Sequence, residues 1–302
     1  MRSYACSGAV AVVMMVAAVL LIAGCGGGGG KKKSKLVQSV AETRAYYQVV
    51  DLSSGTVTAT GAIADLATNA AYRQTKMVFR LVASGSATLG ASSGGFGVDA
   101  DETPRSVSMN NYYIAVYETT QQQWNLLGGG SPWTTLASAN PADIQDAHGR
   151  YPAIGIAYDS AQMTLASYNS GRSFRLRLPT EDEWEYACRG GSTGAFAWGD
   201  SLSQATVAAN AIVWETAGAT RGAREVGSLA ANGLGLFDMH GNVWELCGGG
   251  IARGGSWNDP LSFARCANRA AEVIAPSPVQ TQPAFETDLP HLLVGVRLVY
   301  VP

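Results

Sequence analysis

Residues 238–246 read DMHGNVWEL and place two hard oxygen donors, Asp238 and Glu245, seven positions apart. A tight turn through His240-Gly241-Asn242 would aim backbone carbonyls between them, giving a shell for Ca²⁺, which takes six to eight oxygens. The same spacing also suits an acid pair that caps a surface turn. A second stretch, RGGSWNDPLSFARCANRAA (residues 253–271), surrounds Cys266 with a glycine turn, a Ser-Trp step and arginines, as the floor of a binding or catalytic pocket would. Three acids, Glu181, Asp182 and Glu183, open the segment TEDEWEYA. Carboxylates in a first helical turn are stabilised by the helix dipole, so a structural role is expected for them rather than a metal. His148, His240 and His291 stand in unlike contexts, without the HxxxH or HExxH spacing of a histidine metal centre.

The elements that must position these groups are marked by capping boxes, in which a side chain and a Gln or Glu three residues on satisfy each other's orphan amides. Thr120 with Gln123 starts TTQQQWNLL and buries Trp124 and Leu127. Asp159 with Gln162 starts a helix that stops at Gly171. Thr180 with Glu183 starts TEDEWEYACRGG, with Trp184, Ala187 and Cys188 on one face and Gly190-Gly191 as the stop. Upstream, YYQVVDLSSGTVTATG (residues 46–61) alternates around a Ser-Ser-Gly turn, as a hairpin does. TKMVFRLVASGSATLG (75–90) and VSMNNYYIAVYETT (107–120) carry the same strand signal. From Ser192 to Pro302 the chain is glycine-rich, with short apolar runs and no long periodicity.

The N-terminus bears on compartment. An apolar run beginning near Gly8 closes at LLIAGC, and it is short for a bilayer-spanning helix of ~20 residues. Leu21-Ile22-Ala23-Gly24 before Cys25 resembles the bacterial lipobox, after which Cys25 is lipidated. The alternative is an uncleaved anchor held by Lys31, Lys32, Lys33 and Lys35. Either places the body outside the cytoplasm. Gly26 rather than Asp follows Cys25, which by the sorting rule of enteric bacteria implies the outer membrane. The expected organisation is a signal peptide over 1–25, a Gly/Lys tether over 26–40, a strand-rich lead-in over 41–76 and one domain over 77–302. The lipid anchor makes the membrane an expected partner, whereas residues 41–302 carry 16 basic and 23 acidic residues, a net charge of −7, so nucleic acid is not expected. Of five cysteines, Cys6 leaves with the signal and Cys25 takes lipid. Cys188, Cys247 and Cys266 then face an oxidising compartment, which predicts one disulfide and one odd thiol without saying which pair.

Six phrases then fall in order: VYETTQQQW (116–124), YPAIGIAYDSAQ (151–162), RLPTEDEWEYACRGG (177–191), GLGLFDMHGNVWEL (233–246), RGGSW (253–257) and GVRLVY (295–300). Together they resemble the sulfatase-modifying-factor family, whose namesake is formylglycine-generating enzyme. The resemblance spans about residues 77–302. It implies an α+β fold related to C-type lectins, with little regular secondary structure. It also implies calcium held by the Asp238 side chain, the Gly241 and Val243 carbonyls and the Glu245 carboxylate. A second family calcium site would begin at Asn210 and Ala211, but its remaining ligands fall where this chain is shorter. The resemblance further implies a Cys188–Cys266 disulfide, worth roughly 2–5 kcal/mol for a loop this long, with Cys247 as the odd thiol.

Departures from the family bear on chemistry. In formylglycine-generating enzymes two cysteines after the GGS motif hold Cu(I) as thiolates, soft ligands for a soft ion, and O₂ converts a substrate cysteine to formylglycine. Counted from Gly254-Gly255-Ser256-Trp257, those positions fall on Asp259 and Ala264. Neither is a thiol, so copper is not expected. Only seven residues separate Glu245 from Arg253, where the family usually inserts a longer aromatic-rich segment. The pocket should therefore be open, with Trp244, Ser256 and Trp257 facing it and Arg265 and Arg269 nearby. That surface suits a sugar or a peptide, unless both arginines are buried partners of Asp or Glu. The resulting expectation is a lipid-anchored envelope protein whose domain lacks the catalytic cysteines and serves as a binding or scaffold module. The alternative is an oxidoreductase of the formylglycine-generating type with altered chemistry, acting through Cys247 or another metal set.

Overall fold

The alternating run at residues 46–61 folds as its pattern predicts: Tyr47–Asp51 (β1) turns back antiparallel onto Val57–Thr60 (β2). Asp51 fastens the turn by accepting the Ser53 and Ser54 amides at 3.2 and 3.0 Å. On its other side β1 pairs with Lys76–Val82 (β3). The sheet continues antiparallel through Tyr112–Ala115 (β6), Val299–Val301 (β12) and Arg175–Arg177 (β7), giving the order β2-β1-β3-β6-β12-β7. These relations come from a computed structural model that describes residues 46–92, 94–136, 148–218, 222–270 and 292–302. Cys25, the tether and His291 lie outside the described residues.

A second sheet has the order Arg269–Ala270 (β10), Ala252–Arg253 (β9), Trp244–Leu246 (β8), Val294–Val296 (β11), with β8 and β11 parallel. Gly85–Leu89 (β4) and Arg105–Met109 (β5) form a separate two-stranded ribbon. The strand signal at 75–90 thus divides between β3 and β4, which join different sheets. The signal at 107–120 likewise breaks at Asn110-Asn111 between β5 and β6.

Among the described residues the helices are short: Gln121–Leu126 (α1), Trp133–Leu136 (α2), Tyr158–Asn169 (α3), Glu181–Arg189 (α4) and Gln204–Asn210 (α5). None is long and apolar enough to cross a membrane. The capping boxes at Thr120/Gln123 and Thr180/Glu183 form in full, and α4 ends on Gly190 in the left-handed region at φ 54°. The third box does not form. Helix α3 starts two residues earlier than that box requires, at Tyr158, with Ala157 rather than Asp159 as an N-cap that makes no side-chain bond. Asp159 then lies inside the first turn, where the helix dipole favours it, and the Gln162 amide donates to the Tyr158 hydroxyl at 3.3 Å.

The core joins both sheets. Trp184, Ala187 and Cys188 on one face of α4 are fully buried, as are Trp124 and Trp244. Three arginines, Arg253, Arg265 and Arg297, rank among the largest fully buried side chains. Arg297 lies between β11 and β12, where the chain passes from one sheet to the other. Its Nε and Nη2 donate to Glu245 Oε1 of β8 at 3.0 and 2.7 Å. Its remaining N–H groups donate to the carbonyls of Ala115 and Val116, both at 3.0 Å, and of Phe237 at 2.8 Å. Trp184 Nε1 of α4 donates to Glu245 Oε2 at 2.5 Å.

Removing one partner of a buried ion pair leaves an uncompensated charge, a loss of about 3–5 kcal/mol. Arg297→Met should therefore lower the unfolding free energy in urea by about that amount. Adding Glu245→Gln in the same chain should recover part of the loss, because the unpaired charge is then gone.

Candidate functional site

The GGS turn follows β9. Gly254 and Gly255 both take left-handed φ angles, 98° and 72°. A Cβ at Gly255 would lie 3.0 Å from the Phe263 carbonyl carbon, so the turn packs against the chain that returns toward Cys266. After the turn, Asp259 closes a local ring of hydrogen bonds. Its Oδ2 accepts the Ser256 amide at 3.0 Å, the Ser256 hydroxyl, and Trp244 Nε1 at 2.7 Å. Ser256 and Trp244 are fully buried. These side chains, expected to face a pocket, instead hold one another. Trp257 is partly buried and packs on the main core. The Ala264 methyl is buried, and its carbonyl accepts His240 Nδ1–H at 2.7 Å.

His240 is held at both nitrogens. The Ala197 N–H donates to Nε2 at 3.1 Å, so the ring is neutral with its proton on Nδ1. Burial pushes its pKa down to about 4. Cys188 Sγ lies 3.8 Å from Nε2 and 3.2 Å from Cys266 Sγ. Among the described residues Cys188, His240 and Cys266 form the one cluster with the spacing of metal ligands. The Nε2 lone pair that a metal would need already accepts the Ala197 amide, and the two sulfurs stand as adjacent thiols. Cys247 is buried elsewhere in the same apolar cluster and turns its thiol toward the Glu245 carbonyl at 3.7 Å. Burial pushes the Cys188 and Cys247 thiols well up.

The acid pair expected to hold calcium is not a free pair. Both Glu245 oxygens are taken up by Arg297, and one also by Trp184. Asp238 differs. It is buried at a left-handed φ of 58°, and its Oδ2 accepts the Gly227 amide at 2.6 Å. Its Oδ1 is buried without a hydrogen-bond partner. Desolvation raises its pKa to about 6. Glu118, within the buried run following β6, joins it from outside the predicted set. Glu118 accepts Asn242 Nδ2 at 2.5 Å and the Val243 amide at 3.2 Å, and it is fully buried. Desolvation, then the charges of Asp238 and Glu245, raise its pKa well above the usual range. Of the four expected ligands, Asp238 thus has an oxygen to offer a cation and Glu245 has none. Gly241 fits its turn only as glycine, since a Cβ would lie 2.0 Å from the Ile212 oxygen. At the second expected site, the Asn210 amide donates to the Thr206 carbonyl, and the Ala211 carbonyl accepts the Thr216 hydroxyl.

Both candidate arginines turn out to be paired. Arg265 forms a bidentate bond to the buried Glu102 at 2.5 and 2.6 Å, and Arg269 meets Glu181 at 2.9 Å. Arg265 also borders a groove of about 820 Å³ that runs between β4 and the Gly190–Gly194 turn after α4. The sequence reading missed Glu118, Glu185 and Arg297. A signal for Arg297 was present: a lone charge inside an otherwise apolar run, VGVRLVY, marks a buried, paired group.

Residues 63–278 match the family model of the sulfatase-modifying factor enzyme 1-like domain. The chain is 42% identical over 111 residues to the formylglycine-generating enzyme of Mycobacterium tuberculosis, covering 34% of this chain and 35% of that enzyme. It is 32% identical over 130 residues to the inactive C-alpha-formylglycine-generating enzyme 2 of Bos taurus, covering 35% of this chain and 41% of that protein. The chain spans about a third or less of the length of the first formylglycine-generating enzymes it matches. The structure of PvdO from Pseudomonas aeruginosa superposes with a TM-score of 0.58 at 21% identity, over 74% of this chain and 94% of that one. It shares the mixed fold of sheets and few helices described above.

An acid with a raised folded pKa binds its proton more tightly in the folded chain than in the unfolded one. Its contribution is complete below the ordinary value of 3.8 and is lost as pH rises through about 6. In EDTA, stability should therefore fall over that window by up to ~3 kcal/mol relative to Asp238→Asn, which removes the Asp238 titration. Urea unfolding of both proteins at a series of pH values measures the difference.

Proposed function

The chain belongs to the sulfatase-modifying factor enzyme 1-like domain family, and on that basis we propose that it is a lipid-anchored envelope protein whose domain binds or scaffolds rather than generates formylglycine. One observation carries the reading. At the positions expected for two copper thiolates stand Asp259 and Ala264. The first is fully engaged in holding Ser256 and Trp244, and the second offers only a methyl group and a carbonyl already bonded to His240. A site of this kind has no soft ligand for Cu(I) and no thiol to form a mixed disulfide with a substrate cysteine. The bovine relative named as inactive is consistent with a family fold kept without the family's oxidation. Cys247 supplies no substitute. It is a single buried thiol whose surroundings disfavour the thiolate, the form that reacts and binds metals.

Anchoring rests on Leu21-Ile22-Ala23-Gly24-Cys25 and outer-membrane placement on Gly26. Cys188 and Cys266 are proposed to pair as a disulfide in that oxidising compartment, since their sulfurs already touch and His240 is held by its own partners. Calcium, proposed as a structural ion, would be held through Asp238 rather than Glu245. It would supply positive charge to a buried acid set and no catalysis.

Incubated with copper and O₂, the purified protein should leave unchanged the mass of a peptide carrying the Cys-x-Pro-x-Arg motif. Loss of mass as an aldehyde forms would overturn the binding-module reading. Under denaturing, non-reducing conditions, thiol titration should count Cys247 and neither Cys188 nor Cys266. Three titrating thiols would remove the disulfide.

A further inference from the structure

We infer that the outer edge of β4 is a docking strand for an extended, uncharged peptide segment of a partner protein. The inference rests on the binding-module reading and gives it a place and a ligand class. Strand β4 has a partner on one side only, β5, with Gly85 opposite Met109 and Leu89 opposite Arg105. In an antiparallel ladder alternate residues exchange bonds with the partner, and those between direct their N–H and C=O groups outward. Among the described residues, no other main-chain hydrogen bond reaches Gly85–Leu89.

The groove of about 820 Å³ is bordered by β4. Ser86, Ala87 and Thr88 all line it, although consecutive side chains point to opposite faces of a strand. A strand that turns its edge to the groove meets that condition, because its main chain then borders the groove at every residue. The facing wall is the Gly190–Gly194 turn, and Phe96 and Leu202 flank the groove at 43% and 49% exposure. Free edges are ordinarily blunted by lysine, proline or a bulge. The β4 sequence, GSATL, has no charge and no proline.

Charge narrows the ligand class. Arg189 bonds to Glu185 at 2.7 Å, Arg265 to Glu102, and Asp200 to the Ala195 amide at 2.7 Å. Both arginines at the groove are neutralised from within, so an acidic occupant would lose hydration without gaining an ion pair, and Asp200 already commits a carboxylate oxygen to the Ala195 amide. Main-chain groups supply affinity in strand addition and alternate side chains supply selectivity. Small or hydroxyl side chains suit Ser86 and Thr88, and apolar ones suit Phe96 and Leu202.

The full chain is to be screened against an array of N-acetylated, C-amidated octapeptides lacking Asp, Glu, Lys and Arg, beside a matched array that contains them. Uncharged peptides of alternating pattern should be enriched. N-methylation of the best binder at alternate positions should weaken it about tenfold, the equivalent of one or two lost hydrogen bonds, with the intervening positions unaffected. Leu202→Glu, at an exposed position, should abolish binding while leaving the melting temperature unchanged. No enrichment, indifference to N-methylation, or binding retained by Leu202→Glu would each overturn the docking strand. A binder that docks elsewhere would remove this site and keep the binding-module reading. Oxidation of the Cys-x-Pro-x-Arg peptide would sink that reading without bearing on the edge.

Discussion

The buried pair of Glu245 and Arg297 is the contact on which the arrangement of the domain depends. Arg297 stands where the chain leaves the second sheet for the first, and Glu245 is the middle residue of β8. The guanidinium binds this carboxylate and three carbonyls, and the carboxylate also takes the indole N–H of Trp184. Two sheets and helix α4 are thereby fixed to one charge pair. Such a pair overcomes the desolvation of its charges only when every donor and acceptor is matched, and here they are.

The same device recurs because the fold has little regular structure. A chain that runs through turns leaves many carbonyls without ladder or helix partners, and buried carbonyls need donors. Arginine brings five N–H groups on one planar fork. Arg253 donates to the Ala267 carbonyl at 2.9 Å and the Asn268 carbonyl at 3.2 Å, while its other arm reaches Glu181. Arg189 donates to the carbonyls of Gly90 and Gly194 and is charge-balanced by Glu185. Ion pairs between loops therefore do here what backbone ladders do in a regular sheet. This is why the arginines near Cys266 belong to the frame.

This also explains what could be read from the sequence. The helices starting at Thr120 and Thr180 were legible because a capping box is a local pattern, complete within four residues. The hairpin of β1 and β2 was legible for the same reason. The partners of Arg265 and Arg269 were not, since Glu102 and Glu181 lie far along the chain and no local spacing links them. Local spacing therefore leaves pocket and frame as equal alternatives, and only the long-range pairing separates them. Likewise Asp238 and Glu245 appeared as a matched pair at a spacing of seven. Only the approach of Arg297, 52 residues from Glu245, separates their roles.

That separation locates the domain's sensitivity to its surroundings. Glu118, Asp238 and Glu245 lie within electrostatic reach of one another and share Arg297 as a buried cation. Three carboxylates against one guanidinium leave an excess of two negative charges in a medium that tolerates none. Glu245 is compensated by direct contact, so the excess falls on Glu118 and Asp238. Protons can remove it, which is the meaning of their raised pKa values, and so can a divalent cation at the unpartnered Asp238 oxygen. The two remedies compete, because a cation holds ionised the groups that a proton would neutralise. A domain with a hydrogen-bonded frame around Ser256 thus keeps, among the described residues, a buried place whose charge state is set by the solution.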